Sequence, residues 1–429
     1  MTYEEAIDFL YNATPQFQQI GAAAYKPGLD TTVKLDNAFK NPHKSFKSIH
    51  IGGTNGKGST SHTLASILME QGYKVGLYTS PHLVDFRERI RVNGEMISKE
   101  SVIDFLQRYL NLNVGLKPSF FELTTIMAFD YFKSQKVDYA VIEVGLGGRL
   151  DCTNIITPVL SVITNISKDH VAQLGYTLES IAKEKAGIIK QGIPVVIGEA
   201  DGSIKEIFSN KATEQKAHIY FAQEDKNLIC EYAVSTDSIS YKTIYGKFNS
   251  PLCGICQLKN TNTILGTVKI LKSCNLEIKS EAIIKGFENV ICNTHLMGRW
   301  MKISQKPTII ADTGHNIGGW EYISEQLNNI SKKTSLKMII GFVSDKDVDS
   351  IMHLMPQNAS YFITHASVKR AMPTSILAEK FRNSGIKCEV FESVKEAIKQ
   401  AQKEASENDV IFVGGSTFIV ADALQAFQN

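Results

Sequence analysis

The stretch Ile49-His50-Ile51-Gly52-Gly53-Thr54-Asn55-Gly56-Lys57-Gly58-Ser59-Thr60 decides the fold. A short apolar run leads in and reads as a buried strand. Leu64, Ile67 and Leu68 lead out at i, i+3, i+4 spacing and read as a helix. The intervening glycines let backbone N–H groups crowd round a phosphate, and the helix N-terminus adds partial positive charge. Lys57 reaches the outer phosphates, and Ser59 offers an oxygen to Mg²⁺. The spacing departs from the ordinary phosphate loop: Ile51 stands where that pattern needs glycine, and Gly58 separates the lysine from the hydroxyl. The alternative is a glycine-rich turn with no ligand, in which the lysine has little structural use.

Outward from this loop, Lys74–Thr79 reads as a second strand running into Ser80-Pro81-His82. Asn93-Gly94, flanked by Ile90, Val92, Met96 and Ile97, predicts a small hairpin. Further strands are expected at 139–144, 160–166 and 193–197, with helices at 3–11, 122–133 and from Thr177. A loop with Pro15, Gly21, Pro27 and Gly28 precedes the phosphate loop. Residues 201–255 are polar, with short strand-like runs such as 217–221 and 238–241, and predict short antiparallel strands. A helix over 260–271 closes this part. Strands at 308–312, 337–342, 361–364 and 410–413, alternating with helices, predict a second, doubly wound unit without a dinucleotide fingerprint. The expected architecture is α/β: a P-loop ATPase domain (1–296) with a mostly parallel sheet and a small antiparallel one, then a Rossmann-like C-terminal domain (297–429).

Composition bounds the function. The 429 residues carry 43% hydrophobic and 21% charged side chains, ordinary for a globular protein. Lys+Arg of 46 against Asp+Glu of 44 favours neither nucleic acid nor a membrane surface as partner. An acidic N-terminus, no bilayer-length apolar run and seven scattered cysteines predict a cytoplasmic protein with reduced thiols. Cys253 and Cys256 are spaced C-x-x-C but lack a second ligand pair, so they read as incidental.

Active-site side chains in parallel sheets gather where strands end. Ser80, Glu143 and His170 lie at such ends, as do Lys57 and Ser59. A hydroxyl, a carboxylate and an imidazole hold Mg²⁺ while leaving positions for phosphate and water, imidazole being the least usual ligand. Each has a plainer reading: His170 as a helix cap, Glu143 as the partner of Arg149, and Lys185 as a solvated helical lysine. In the second unit Asp312 ends a strand and His315 follows in the next loop; Arg299 and Asp312 suit a nucleotide or its reacting phosphate, with an ion pair between the domains as the alternative.

Taken together, Gly53–Ser59, Thr79-Ser80-Pro81-His82, Glu143–Asp151, Asp169-His170 and Glu184–Ile189 resemble, in order and along nearly the whole chain, the folylpolyglutamate synthase and dihydrofolate synthase branch of the Mur ligase family. The resemblance implies ATP bound between an ATPase domain and a smaller Rossmann-like one. Asn55, Gly56, Lys57, Gly58 and Ser59 would hold phosphate, and Asn260, Arg299, Asp312 and His315 would contact ATP. It implies Ser59, Ser80, Glu143 and His170 as Mg²⁺ ligands, direct or through water. Lys185, carbamylated by CO₂, would support a second Mg²⁺; with Lys57 and His170 it completes the catalytic set. Folate-side contacts are expected from Pro27, Gly28, Leu29 and Asp30, from Ser119, Phe120, Phe121 and Glu122, and from Leu150, Asp151 and Cys152. Cys256, Met301 and Thr313-Gly314 depart from the family pattern without removing a phosphate or metal group.

The expected reaction joins L-glutamate to dihydropteroate or to a reduced folate at the expense of ATP, through an acyl phosphate, in a monomer. Two other readings remain. A cell-wall Mur ligase would usually carry an extra N-terminal domain, and only about 48 residues precede the phosphate loop. A nucleotide-binding switch or transport ATPase would need neither the second unit nor the Lys185 motif.

Overall fold

The structure, a computed structural model, describes residues 1–12 and 28–428. The expected loop at Pro15, Gly21 and Pro27 therefore lies outside the described residues, apart from Gly28. The chain divides into two compact units, one of Met1–Pro251 with Gln257–Leu296, the other of Leu252–Cys256 with Met297–Asn429. Against the expected division at 296/297, the short segment Leu252–Cys256 lies with the second unit. Cys253 is buried there in an apolar core with Trp300, which is why the sequence interrupts its polar run at this point.

The first unit is built on eight strands: β1 (Lys47–Gly52), β2 (Val75–Tyr78), β3 (Ile90–Val92), β4 (Glu95–Met96), β5 (Tyr139–Glu143), β6 (Leu160–Ile163), β7 (Val195–Ile197) and β8 (Ile219–Phe221). Their order is β4-β3-β2-β5-β1-β6-β7-β8. Strands β2, β5, β1, β6, β7 and β8 are parallel, and the β3–β4 hairpin turns back antiparallel through Asn93-Gly94, both with positive φ. Side chains alternate between two cores. Tyr139 and Val141 face the layer that contains helix Lys57–Glu70, and Ala140 and Ile142 face the layer with Phe105, Phe120 and Phe129. Helix Ser280–Glu288 packs so closely on Lys57–Glu70 that a Cβ on Gly286 would lie 2.5 Å from the Ile67 Cα.

Three expectations need correction. Helix Asp30–Ala38 occupies a stretch with no expected element; its buried residues are Thr32, Leu35 and Asp36, so no apolar stripe announces it. Helix Gly202–Glu214 replaces the first part of the expected antiparallel region, where only Ile204, Phe208 and Ala212 are buried. Residues 219–221 form β8, a parallel edge strand of the main sheet, too short to show its period. True antiparallel pairing begins later, in β9 (Ile229–Val234), β10 (Ile239–Thr243) and β11 (Gly246–Ser250).

The second unit holds β12 (Met301–Gln305), β13 (Thr308–Asp312), β14 (Leu336–Ile340), β15 (Ser360–Ile363), β16 (Cys388–Val390) and β17 (Val410–Gly414), ordered β12-β13-β17-β14-β15-β16. Only β12 is antiparallel. The two edge strands, β12 and β16, are polar and incompletely buried, which hid them in the sequence. Trp320, Phe342 and Phe412 fill the core.

Candidate active site

The phosphate loop leaves β1 at Gly52 and enters helix Lys57–Glu70 through Gly56, whose φ of +82° only glycine adopts without strain. It is stitched to the end of β6. The Thr54 N–H donates to the Asn165 carbonyl and the Asn55 N–H to Asn165 Oδ1, both at 2.9 Å. Thr164 Oγ1 donates to the Asn55 carbonyl at 2.6 Å and stands so near Gly53 that no Cβ fits there. Lys57 Nζ donates to the Thr54 carbonyl at 3.0 Å. Ser59 is buried and accepts from Gln257 Nε2 at 3.1 Å; Gln257 Oε1 accepts from Asn260 Nδ2 at 2.9 Å. Asn260 also closes on Gly56, so this residue lies against the phosphate loop itself.

Glu143 is the last residue of β5 and is buried; it accepts from the Ser80 N–H at 3.3 Å, an adjacency set by the parallel pairing of β2 with β5. Its expected alternative partner, Arg149, instead pairs with Glu184 at 2.8 Å. His170 occupies the N-cap position of the helical turn Val171–Leu174 with φ +50°, but its side chain makes no capping bond; its N–H donates to Asp169 Oδ1. Lys185 is not the solvated lysine of the plain reading. It is 4% exposed, and its Nζ donates to the Gly53 carbonyl at 2.8 Å. Burial and then the nearby Lys57 ammonium lower its pKa from 10.5 to about 7, against the opposing pull of Asp169 and Asp151.

No three His, Cys, Asp or Glu side chains among the described residues group closely enough to hold a metal ion. The expected donors are hydroxyls, one carboxylate and an imidazole, of which Ser80 and Glu143 are in contact. That set suits an oxygen-seeking ion whose shell is completed by phosphate and water, and it does not suit a closed structural site.

In the second unit Asp312 ends β13 and is half-buried, accepting from the Trp300 N–H at 2.7 Å and the Gly314 N–H at 2.8 Å. Burial raises its pKa, and Arg299 opposes the shift. Arg299 donates to Thr313 Oγ1, and His315 Nδ1 lies 3.0 Å from the Thr313 carbonyl. Arg299, Asp312 and His315 are thus gathered at one strand end.

The expected folate-side stretches also converge, Pro27 lying outside the described residues. Gly28 and Leu29 precede helix Asp30–Ala38, and Leu29 stands at its N-cap. Glu122 Oε2 accepts from the Ser119 N–H and hydroxyl, forming the cap of helix Phe120–Ser134, and Oε1 accepts from Thr32 Oγ1 at 3.3 Å. The Cys152 thiol lies beside Thr32, Glu122 and Asp151, and burial pushes its pKa well up. Leu150 is half-buried, and Phe121 packs on Gly145.

Sequence reasoning missed Asn165 and Thr164, which carry no motif. It also missed a cluster signalled only by the Ser-Pro-His run. Here Arg89 Nε donates to His82 Nδ1 at 2.8 Å, the Tyr11 hydroxyl lies 3.3 Å from His82 Nε2, and the Arg89 guanidinium sits 5.1 Å from the Phe120 ring centre. Burial and the arginine hold His82 far below the ordinary imidazole pKa.

Two family models match: the Mur ligase middle domain over residues 51–268, and the Mur ligase glutamate ligase domain over 298–417. A dihydrofolate synthase/folylpolyglutamate synthase of Haemophilus influenzae is 33% identical, covering 93% of each chain. A probable bifunctional folylpolyglutamate synthase/dihydropteroate synthase of Haloferax volcanii is 32% identical over 99% of this chain, which spans about half (50%) of that relative's length. Among solved structures, E. coli FolC in complex with DHPP and ADP superimposes with a TM-score of 0.85 at 28% identity, covering 100% of this chain and 98% of the other. A bifunctional folylpolyglutamate synthase/dihydrofolate synthase with Mn, AMPPNP and L-glutamate bound gives 0.82 at 29% identity, covering 100% and 98%.

Proposed function

The chain belongs to the Mur ligase family, in its folylpolyglutamate synthase/dihydrofolate synthase branch, and we propose that it joins L-glutamate to the carboxylate of dihydropteroate, to the glutamate tail of reduced folates, or to both, at the expense of ATP. The observation that carries this reading is the contact of Lys185 Nζ with the Gly53 carbonyl, which brings the lysine motif against the phosphate loop. A switch or transport ATPase has no use for that contact.

In the proposed reaction an acceptor carboxylate oxygen attacks the γ-phosphorus of ATP, releasing ADP and leaving an acyl phosphate. The glutamate amine then adds to the acyl carbon and phosphate departs, with the amine proton lost to solvent. Loop N–H groups and Lys57 stabilise charge on the transferring phosphoryl group. Ser59, Ser80, Glu143 and His170 would hold a divalent ion, which when bound would neutralise phosphate charge. Lys185 is held as an amine that takes up CO₂, forming an N–C bond and releasing a proton, and the resulting carbamate supplies a carboxylate where the sequence places none. Asn260, Arg299, Asp312 and His315 serve the nucleotide. The stretches at 28–30, 119–122 and 150–152 serve the acceptor.

Incorporation of radiolabelled glutamate with each pterin acceptor in turn tests this reading. Product that forms only with ATP and a pterin acceptor is the expected result; ATP hydrolysis indifferent to acceptor and glutamate overturns it.

A further inference from the structure

His50 lies on β1, two residues before the phosphate loop begins, and is wholly buried. Its Nε2 is 2.8 Å from Thr153 Oγ1, and its Nδ1 is buried with no hydrogen-bond partner. Thr153 Oγ1 is in turn 2.5 Å from Asp151 Oδ1, which also accepts the Thr153 N–H at 3.0 Å. Asp151 Oδ2 accepts the Leu146 N–H at 2.8 Å, tying down the glycine loop that follows Glu143.

The proton positions follow from counting donors. Burial raises the Asp151 pKa, but the Leu146 and Thr153 N–H groups donate to its two oxygens and oppose that rise; with the carboxylate ionised, the Thr153 hydroxyl gives it its one hydrogen. His50 must therefore donate Nε2–H to Thr153, leaving Nδ1 bare. Burial, with Lys190 nearby, pushes the imidazole pKa down to about 3, so this neutral donor persists through the working pH range. An orphaned buried nitrogen costs stability. A histidine that merely filled space would be better served by leucine, so the donation to Thr153 is what the position retains. The same turn reaches further: Asn154 Nδ2 donates to the Arg149 carbonyl at 3.0 Å and to the Gly187 carbonyl at 3.2 Å, just beyond Lys185.

We propose that His50 is a positioning residue for acceptor binding, acting through Thr153 to fix the Asp151 carboxylate and the loop it anchors. The inference rests on the acceptor role given above to residues 150–152. It makes the strand that feeds the phosphate loop also the support of the acceptor loop.

The test compares His50→Leu, His50→Gln, Thr153→Val and the double variant His50→Leu/Thr153→Val in the full-length protein. His50→Leu raises the acceptor KM by about tenfold, the loss of one buried hydrogen bond, and leaves the KM for ATP within about twofold. His50→Gln, whose amide nitrogen reaches the same hydroxyl, restores the parent acceptor KM. Thr153→Val matches His50→Leu, and the double variant is no worse than either, because one chain is broken once. Hydrogen exchange across residues 145–154 speeds up in His50→Leu and not in His50→Gln. An acceptor KM unchanged in His50→Leu, equal rises in both KM values, or multiplying effects in the double variant overturn the inference. Where a variant fails to fold, the remaining ones decide. If the parent protein itself joins glutamate to no acceptor, the proposed function falls, and the exchange comparison alone decides whether His50 holds the loop.

Discussion

At Lys185 burial sets the condition for the proposed carbamylation. Below a pH of about 7 the amine carries a proton and has no lone pair for CO₂; above that it is neutral. Rates measured from pH 6 to 8 should therefore fall on the acid side, more steeply in CO₂-free buffer, and bicarbonate should restore part of the loss. The sign for stability is separate. Between about 7 and 10.5 the unfolded chain binds a proton that the native amine does not, so the contribution of the bare amine to stability declines as pH falls through that window and is then constant. Lys57→Ala should lower kcat/KM by on the order of a thousandfold with an unchanged thermal midpoint, since it removes charge stabilisation from the reacting phosphate. At this scale motif residues such as Lys57 and Glu143 were legible, because spacing and strand ends mark them. Lys185 was legible only through family resemblance, since nothing in a nine-residue helix carrying Lys183, Glu184 and Lys185 tells which of them is buried. His50 and Thr153 were illegible, because a histidine inside an apolar run and a threonine two residues after an aspartate are common.

At the scale of elements, two of the stretches expected to meet substrate also make the protein's own structure. Ser119 and Glu122 form a reciprocal cap on helix Phe120–Ser134, so Ser119→Ala should cost about 1 kcal/mol of stability by urea unfolding. Gly286→Ala should cost about 1–3 kcal/mol by the same measurement, because its methyl group meets the Ile67 backbone and neither helix has room to yield. Strands buried on both faces announced themselves as apolar runs. Among the elements missed or misread, Asp30–Ala38, Gly202–Glu214, β8, β12 and β16 each bury only a few side chains, and the strands among them are edges held by backbone pairing; helices Lys99–Leu112 and Ser280–Glu288 were also missed, although Val102, Phe105 and Leu106 in one and Ile283 and Phe287 in the other form an apolar face.

For the whole molecule, the fold stands on apolar cores, so the ion of the proposed reaction should be dispensable to it. Treatment with a chelator should abolish glutamate transfer while leaving far-UV circular dichroism unchanged; a collapse of the spectrum would place a structural ion in the protein. The α/β class and the two large sheets were legible, since alternating helices and strands leave few other arrangements. The passage of Leu252–Cys256 into the second unit was not, because five residues carry too little pattern. The hydrogen bond from Gln257 to Ser59 joins positions 198 apart in the chain, and that from Ser66 to the Gly286 carbonyl spans 220. During synthesis, then, the ribosome delivers the entire glycine-lysine motif long before the residues that brace it. A nascent or truncated chain ending ahead of residue 257 holds the glycine-lysine motif and its ties to Thr164, Asn165 and Lys185 but lacks the Gln257 bond to Ser59 and the approach of Asn260 to Gly56, so the nucleotide cradle is completed only once more than half of the chain has emerged.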